Sequence, residues 1–533
     1  MKAARRTLFR NVRPFVPGRE VDELACVMVE GHHILAVVPA RDVSTFDADA
    51  TMVVDGAGAT LLPGFIDAHF HLYQGLLELG VHWLREDLSI QEISASIRAY
   101  IRSHPAKTHY IVRGLSHGVF KSLEVPVRRF LDSLTADRPL ILYSYDDHIA
   151  WANSIALERA GIARGMATRG NSCIVLDQDG YASGELRELD AYLPVQNILP
   201  PAAEVEVAAY ATEGMRLISS CGISSVHNMN GNEEELAALQ RLEESNALSV
   251  RVYCPRSIVP GDPTFPAQEA IRMRDSCKGR LVRSGAIKIF LDGIIEQQTA
   301  SLLSPYCNAG GRCGEANYTR QQLQDLCRQA DDLGLQLFIH SIGDGATRMA
   351  LDVFASLRKE GGLIDSRPRL EHLEVVAPED IGRFKSLGVV ASLQPLHWQM
   401  ASEDLEWQAL LGPDRLKSIY PWRSLAESGV PVAFGSDWNV APCSPLLGLT
   451  AALRRAGVLG TPQQNELLRR LLLHYTADAA YAEFEEQHKG KIAAGYLADL
   501  CLLDGDLFSQ QREPASFKVA LTMCDGRITH SVL

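Results

Sequence analysis

Between residues 63 and 489 the sequence alternates short apolar runs with longer segments of helical periodicity, and this alternation restricts the fold more than any other feature. Short apolar strands that alternate with helices are typical of βαβ units, whose strands form a parallel sheet. Eight such units close into a barrel, so we predict an α/β protein with a (β/α)8 TIM-like barrel. The predicted barrel strands are residues 61–71, 223–228, 249–254, 286–292, 336–340, 369–373, 389–394 and 432–437.

Two further regions stand outside this alternation. Residues 1–62 and 490–533 have the pattern of short strands, which predicts one small β-sandwich domain built from both termini. The barrel domain is then residues 63–489. Residues 75–205 are too many for one connection between a strand and a helix, so we predict an inserted subdomain after the first barrel strand.

The composition is that of a globular protein, because 46% hydrophobic and 22% charged residues in 533 supply a large core. A formal net charge of −13 without a basic cluster argues against nucleic-acid binding. No window approaches the roughly 20 apolar residues of a membrane span, and residues 1–10 lack the apolar stretch of a secretory signal. Eleven cysteines without CxxC spacing are typical of reduced proteins. We therefore predict a cytoplasmic location without membrane or nucleic-acid partners.

The first barrel strand ends in a histidine pair, His69 and His71. On a β-strand this spacing places both imidazoles on one face, at the carboxyl end where barrels present their chemistry. Neutral imidazoles are common metal ligands, so the pair is a natural half of a metal site. A chance pair is the alternative, because the chain contains 16 histidines.

Other barrel strands end in residues of complementary chemistry. A single histidine near a strand is more often part of the core, and Asp437 alone could cap a helix. Their joint position at successive strand ends indicates one common site, since histidines and a carboxylate form the donor set of a two-metal hydrolytic centre. The predicted ligands are His69, His71, Lys288, His340, His372 and Asp437.

Lys288 is unusual in this set because an ammonium group cannot bind a cation. It lies between Ile287 and Ile289, where desolvation would lower its pKa. A neutral amine can add CO₂ and become a carbamate, which is an anionic bridging ligand. The alternative is an ordinary ion pair with Asp292 or another carboxylate.

Seven motifs follow one another through the chain. They are Pro63-Gly-Phe-Ile-Asp-Ala-His-Phe-His71, Ile287-Lys-Ile-Phe-Leu-Asp-Gly293, Ile339-His-Ser-Ile-Gly-Asp344, Arg369-Leu-Glu-His-Leu-Glu374, Leu393-Gln-Pro395, Phe434-Gly-Ser-Asp-Trp438 and Gly495-Tyr-Leu-Ala-Asp-Leu500. In these motifs the chain resembles the amidohydrolase superfamily and, within it, amidohydrolase family 3, the YtcJ-like metal-dependent hydrolases. The resemblance covers nearly the whole chain. It implies a metal-binding barrel with the six ligand positions above, one or two divalent ions (usually zinc), a small-molecule substrate and a homo-oligomer, which we predict to be a dimer.

The chain departs from the family pattern at two positions. The sequence Glu296-Gln-Gln-Thr-Ala300 has Gln298 where the family often has arginine, and Gly343-Asp344-Gly345 has Gly345 in place of the arginine of the common Gly-Asp-Arg. The missing arginines suggest a substrate without the anionic group that they would hold.

A metal-activated water is the expected nucleophile, and Asp437 is the expected catalytic group that takes its proton. His148, in the predicted insertion, is a candidate oxyanion donor or substrate contact, with a surface loop histidine as the alternative. His227 is expected to support the ligands without binding metal. The candidate substrate-binding residues are Gln298, Gln394, His397 and Trp438.

These expectations lead to hydrolysis of an amide-type C–N bond in an N-acyl amine, formamide or carbamate. One alternative is a deaminase or cyclic-imide hydrolase on the same scaffold. The other is a catalytically inactive barrel with a binding role.

Overall fold

The computed structural model describes residues 6–17, 23–45, 52–85, 88–200, 204–307, 310–509 and 512–533, and its strands form three sheets. The strands are β1 Arg6–Pro14, β2 Ala25–Glu30, β3 His33–Pro39, β4 Met52–Asp55, β5 Thr60–Pro63, β6 Phe65–Phe70, β7 His82–Trp83, β8 Tyr110–Leu115, β9 Leu140–Ser144, β10 Ile149–Ala152, β11 Cys173–Leu176, β12 Ala182–Arg187, β13 Ile223–Asn228, β14 Arg251–Ser257, β15 Val282–Phe290, β16 Gln336–Ser341, β17 Arg369–His372, β18 Val390–Leu393, β19 Val432–Phe434, β20 Leu500–Leu503, β21 Val519–Cys524 and β22 Arg527–Ser531.

Helices connect and flank these strands. They are α1 Leu72–Glu78, α2 Ile90–Ser103, α3 Val127–Asp132, α4 Ser154–Arg159, α5 Leu189–Asn197, α6 Glu204–Ser220, α7 Glu233–Glu244, α8 Ala267–Ser276, α9 Arg320–Asp332, α10 Asp344–Lys359, α11 Pro378–Leu387, α12 Pro395–Glu403, α13 Leu405–Leu411, α14 Trp422–Glu427, α15 Pro445–Arg455, α16 Gln464–His474 and α17 Ala477–Tyr481. Within the described ranges, none of them is both long and apolar enough to cross a membrane.

Eight parallel strands form the central sheet, in the order β6-β13-β14-β15-β16-β17-β18-β19. The two edges of this sheet meet where Phe70 and Trp438 form a parallel bridge, and the Asp437 N–H donates to the His69 carbonyl over 2.7 Å. A Cβ atom at Gly435 would lie 2.4 Å from the His69 nitrogen, so only glycine permits this approach. The predicted α/β fold with an eight-stranded parallel barrel sheet is confirmed.

The strand β16 illustrates how local sequence builds the barrel. All of its residues are buried, as expected for a strand covered by the barrel interior on one face and by helices on the other. The preceding helix α9 begins at a capping box, in which Thr319 Oγ1 accepts the Gln322 N–H and Gln322 Oε1 accepts the Thr319 N–H. This cap starts α9, whose apolar face then packs beside the strand that carries His340.

The prediction for residues 61–71 was wrong in one respect, because this run forms two strands. The strand β5 pairs with β20 and β1, whereas only β6 belongs to the barrel. His71 lies just after β6, at the position that caps α1, and not within a strand.

Strands from both termini join in one sheet of order β22-β21-β20-β5-β1-β2-β3, with β4 beside β1. Its buried apolar side chains, including Phe9, Leu61, Leu500 and Met523, form a separate core. The arrangement of this sheet as a sandwich and the domain limits at residues 62 and 490 stay predictions. Residues 1–5, 18–22, 46–51 and 510–511 of the predicted domain lie outside the described residues.

The chain between β6 and β13 forms a third sheet of order β11-β12-β10-β9-β8-β7, with apolar clusters of its own on both faces. This sheet lies where the sequence predicted an insertion. The limits 75–205 stay a prediction, and residues 86–87 and 201–203 lie outside the described residues.

Candidate metal centre and active site

The six predicted ligands meet at the carboxyl-terminal mouth of the barrel, where parallel strands bring their ends together. Asp437 lies at the centre of the group. Its Oδ1 is 2.8 Å from His71 Nε2 and 3.5 Å from His69 Nε2, and its Oδ2 is 3.9 Å from His372 Nδ1. The His372 ring centroid is 4.5 Å from the rings of both His69 and His340.

The protonation states suit metal binding. Burial lowers the pKa of His69 to about 4, and burial also lowers the pKa values of His340 and His372. These imidazoles are therefore neutral at pH 7, with a lone pair available. Burial alone would raise the pKa of Asp437, but the facing imidazoles of His69 and His71 hold it well below its usual range, so it is a carboxylate.

Several of these polar atoms make no hydrogen bond to the described residues, although they are buried. They are His69 Nε2, His372 Nδ1 and Lys288 Nζ. An unsatisfied buried polar atom costs about 1–3 kcal/mol, so a group of them indicates a missing binding partner. Candidate ligand atoms of His69, His372 and Asp437 all lie within 4.8 Å of one another. Nitrogen ligands with a carboxylate suit a divalent transition ion, so the residues present fit a metal.

Lys288 is fully buried, and burial lowers its pKa to about 8. Of the two interpretations of the sequence, the ion pair with Asp292 is not formed in the described part of the chain. Asp292 instead accepts hydrogen bonds from the backbone N–H groups of Ile342 and Gly343, and its Oδ1 lies 3.1 Å from His340 Nδ1.

Two carboxylates that the sequence did not assign to the site orient its histidines. Glu371 Oε2 lies 2.8 Å from His69 Nδ1, as Asp292 lies beside His340 Nδ1. A carboxylate can only accept, so each Nδ1 carries the proton and each Nε2 keeps its lone pair. Strand alternation could have identified Glu371, since it shares the inward face of β17 with Arg369.

The backbone turns sharply at two of the ligand positions. After the inward-facing Glu371, strict alternation would direct His372 outward, but its φ of 74° re-aims the side chain towards His69 and His340. Asp437 has a φ of 60°. A non-glycine residue in this region costs on the order of 1–3 kcal/mol, and such residues concentrate at functional sites.

His148 reaches the barrel mouth from the third sheet, with its ring centroid 6.5 Å from that of His340. Its Nδ1 is 2.9 Å from Glu188 Oε2. Burial alone would lower the pKa of His148, but Glu188 and Asp146 raise it to about 10. The imidazole is therefore charged at pH 7, and its Nδ1 proton faces Glu188.

The predicted substrate-binding residues occupy different surroundings. His397 Nε2 lies 3.7 Å from Asp437 Oδ2, and Gln394 is fully buried without a side-chain hydrogen bond to the described residues. The Trp438 ring stacks on Phe70 with a centroid distance of 5.0 Å and so forms part of the wall. Their contacts with substrate stay predictions.

The two departures from the family pattern also have a structural setting. A Cβ atom at Gly345, in the first turn of α10, would lie 2.9 Å from the carbonyl oxygen of Ser301, so the position leaves no room for a side chain unless the backbone shifts. Gln298 Oε1 accepts a hydrogen bond from the exposed Arg312 over 2.9 Å. The guanidinium of Arg312 is therefore already hydrogen-bonded to the Gln298 side chain.

A parallel barrel with a cluster of neutral histidines and a carboxylate at its mouth defines the class of metal-dependent barrel hydrolases. The sequence profile of the amidohydrolase family matches residues 52–530, so the chain belongs to that family.

Three known proteins show how far the similarity extends. The chain is 28% identical over 489 residues to the protein of Bacillus subtilis named “Putative amidohydrolase YtcJ”, and the match covers 89% of each chain. It is 26% identical over 501 residues to the N-substituted formamide deformylase of Arthrobacter pascens, covering 90% of each. An uncharacterized metal-dependent hydrolase from Pyrococcus horikoshii has the same fold, with a TM-score of 0.72 and 22% identity over 98% of this chain and 100% of the other.

Proposed function

We propose that this protein is a metal-dependent amidohydrolase that cleaves an amide-type C–N bond in an N-acyl amine, formamide or carbamate. The observation that carries the proposal is the group of buried histidine nitrogens that surround Asp437 at the barrel mouth without a hydrogen bond to the described residues. The similarity to a formamide deformylase over 90% of both chains supports an amide-type bond.

The proposed metal ligands are His69, His71, Lys288, His340, His372 and Asp437, with zinc as the proposed ion. A divalent ion in such a site polarises a carbonyl oxygen and lowers the pKa of water, which makes water nucleophilic near neutral pH. We further propose that Lys288 is carboxylated. Its burial, and an Nζ without a hydrogen bond or ion pair to the described residues, favour an anionic carbamate over a buried ammonium that only the charges of Glu371 and Asp437 beyond ion-pair distance would stabilise.

The protein's own residues account for the proton transfers. Asp437 accepts a proton from the attacking water and returns it to the leaving nitrogen, so that an amide and water give a carboxylic acid and an amine. In the proposed geometry, the Nε2–H group of His148 donates a hydrogen bond to the carbonyl oxygen, because Glu188 engages the Nδ1 proton. A charged imidazole donor stabilises the negative charge that develops on that oxygen.

Replacing His148 with glutamine is expected to lower kcat by about 10²–10³-fold, which is the usual cost of losing one oxyanion donor. The metal content should not change, because His148 is not among the proposed ligands. The matched control is His82→Gln in β7 of the same sheet, where the imidazole contacts Ser96 and not the barrel mouth. Steady-state kinetics and metal analysis of both variants test whether His148 acts in catalysis. Wild-type kcat in His148→Gln would remove this residue from the mechanism.

The substrate class follows from Gln298 and Gly345, which stand where the family often has arginine. We expect neutral amides and formamides to be hydrolysed with higher kcat/KM than N-acyl amino acids that carry a free carboxylate. Paired substrates that differ only in a carboxylate or its methyl ester provide the comparison. Better hydrolysis of the free acids would contradict the proposal.

The alternative functions, a deaminase, a cyclic-imide hydrolase or an inactive barrel, would give different products or no product. A deaminase would release ammonia from a ring without opening it, whereas a cyclic-imide hydrolase would open the ring. Product analysis by mass spectrometry separates both from cleavage of an open-chain amide. Assembly as a homodimer and a cytoplasmic location stay predictions.

A further inference from the structure

A chain of buried charged and polar groups crosses the barrel interior and ends on a proposed metal ligand. All of its members are at most 3% exposed. From the metal site downward, they are His69, Glu371, Arg369, His227, Glu483 and Lys489. Their lower end lies at the amino-terminal side of the barrel, where Gln336, the first residue of β16, donates to the Ala482 carbonyl.

Short contacts join each member of the chain to the next. Arg369 donates two hydrogen bonds to Glu371, from Nε over 2.9 Å and from Nη2 over 3.2 Å. Its Nη1 lies 2.6 Å from His227 Nδ1. His227 Nε2 is 2.9 Å from Glu483 Oε1, which is 2.6 Å from Lys489 Nζ. The glutamate at the upper end contacts His69 at 2.8 Å.

Donor and acceptor capacities allow only one direction for the hydrogen bonds between His69, Glu371, Arg369 and His227, whereas His227 and Glu483 form a close contact without hydrogen-bond geometry. Arginine has no acceptor, so His227 Nδ1 must accept from Arg369 and the His227 proton must be on Nε2, facing Glu483. Glu371 accepts from Arg369 on one side and from His69 Nδ1 on the other. Burial lowers the pKa of His227 to about 4, which agrees with a neutral ring between two charged neighbours.

We propose that Glu371, Arg369, His227 and Glu483 are positioning residues, which hold His69 in one tautomer and one orientation with its Nε2 lone pair towards the metal. The inference rests on the proposed function, because it requires that a metal binds at His69. Partners that orient a metal-binding histidine typically contribute 10- to 100-fold, as an approximate range, to metal affinity.

A purely stabilising role explains the arrangement less well. Burying several charges is costly, and apolar residues of similar volume often stabilise a core equally or better. The structure instead connects these charges, one after another, to the single nitrogen that sets the tautomer of His69.

The test is Glu371→Gln, because the amide cannot accept from both neighbours: its NH₂ group must face either the donors of Arg369 or the Nδ1 proton of His69. We expect the Kd for zinc, measured by competition with a chromophoric chelator, to rise about 10- to 100-fold. The matched control is Arg251→Lys, which weakens another buried ion-pair group, with Asp499 and Asp525, away from the mouth. The control should lose thermal stability but keep the wild-type Kd.

Each outcome is informative. If the wild-type protein binds no zinc, the proposed function fails and not the positioning chain alone. If the wild type binds zinc and folded Glu371→Gln binds it equally well, the positioning role is overturned. If Glu371→Gln does not fold, His227→Asn decides, because it breaks the contact with Glu483 at a position two members further from the metal than Glu371. We expect a rise in Kd of about 2- to 30-fold for it, and an unchanged Kd would overturn the proposal.

Discussion

Asp437→Asn is expected to retain metal but to lower kcat by about 10²–10⁴-fold, the usual contribution of a general base. The amide keeps a ligand oxygen and the volume of the side chain, but it cannot accept the proton of the attacking water. Metal analysis and steady-state kinetics on the same preparation measure both effects. A suitable control is Asp380→Asn, a buried carboxylate in α11 that pairs with Arg348 and Arg383 away from the mouth.

Two results would contradict this role for Asp437. Full activity in Asp437→Asn would exclude it as the base. If the variant loses metal but reaches the wild-type kcat once metal is added back, the carboxylate acts as a ligand only. The role as a base can be tested in this way because asparagine has the shape of aspartate. Its Oδ1 can keep the 2.8 Å contact with His71 Nε2.

Lys288→Ala is expected to lose stoichiometric metal and to lower activity by about 10³-fold, since metal polarisation contributes several kcal/mol and each 1.4 kcal/mol is about tenfold. The alanine leaves space at a fully buried position. If Lys288 acts as a carbamate, formate or acetate should enter that space, replace the missing anion and restore part of both the metal content and kcat.

The variant Lys288→Met is the control for this rescue. Methionine fills most of the volume of lysine without a charge, so carboxylates should have no space to bind and should not restore activity. Equal rescue of both variants, or rescue of neither, would argue against the carbamate. A wild-type preparation without stoichiometric metal and without hydrolytic activity would favour the inactive, ligand-binding barrel.

Much of the fold was predictable because it depends on local patterns. Short apolar runs, such as residues 336–340, identified the place of each of the eight barrel strands in the chain, and for seven of them the run corresponds to a single barrel strand. The run 61–71 was the exception, since nothing local shows that β5 pairs with the terminal sheet while β6 enters the barrel. Pairing is a long-range property, whereas periodicity is a local one.

The candidate site was predictable in its residue types and less so in its contacts. The strand-end positions of His69, His340 and Asp437 indicated the cluster, but not that Asp437 would lie at its centre. The sequence left Lys288 with two interpretations, and only the packing shows that Asp292 is engaged elsewhere.

By itself, the sequence determined the barrel class, the family and the residue types of the candidate metal site, because each of these depends on short motifs and local periodicity. Only the tertiary structure decided which carboxylate orients which histidine. Glu371 reaches His69 from a position 302 residues away, and His148 comes over the barrel from a separate sheet. Such contacts depend on strand register, on the turn of the backbone at His372 and on close packing in the barrel interior, and no local pattern encodes them.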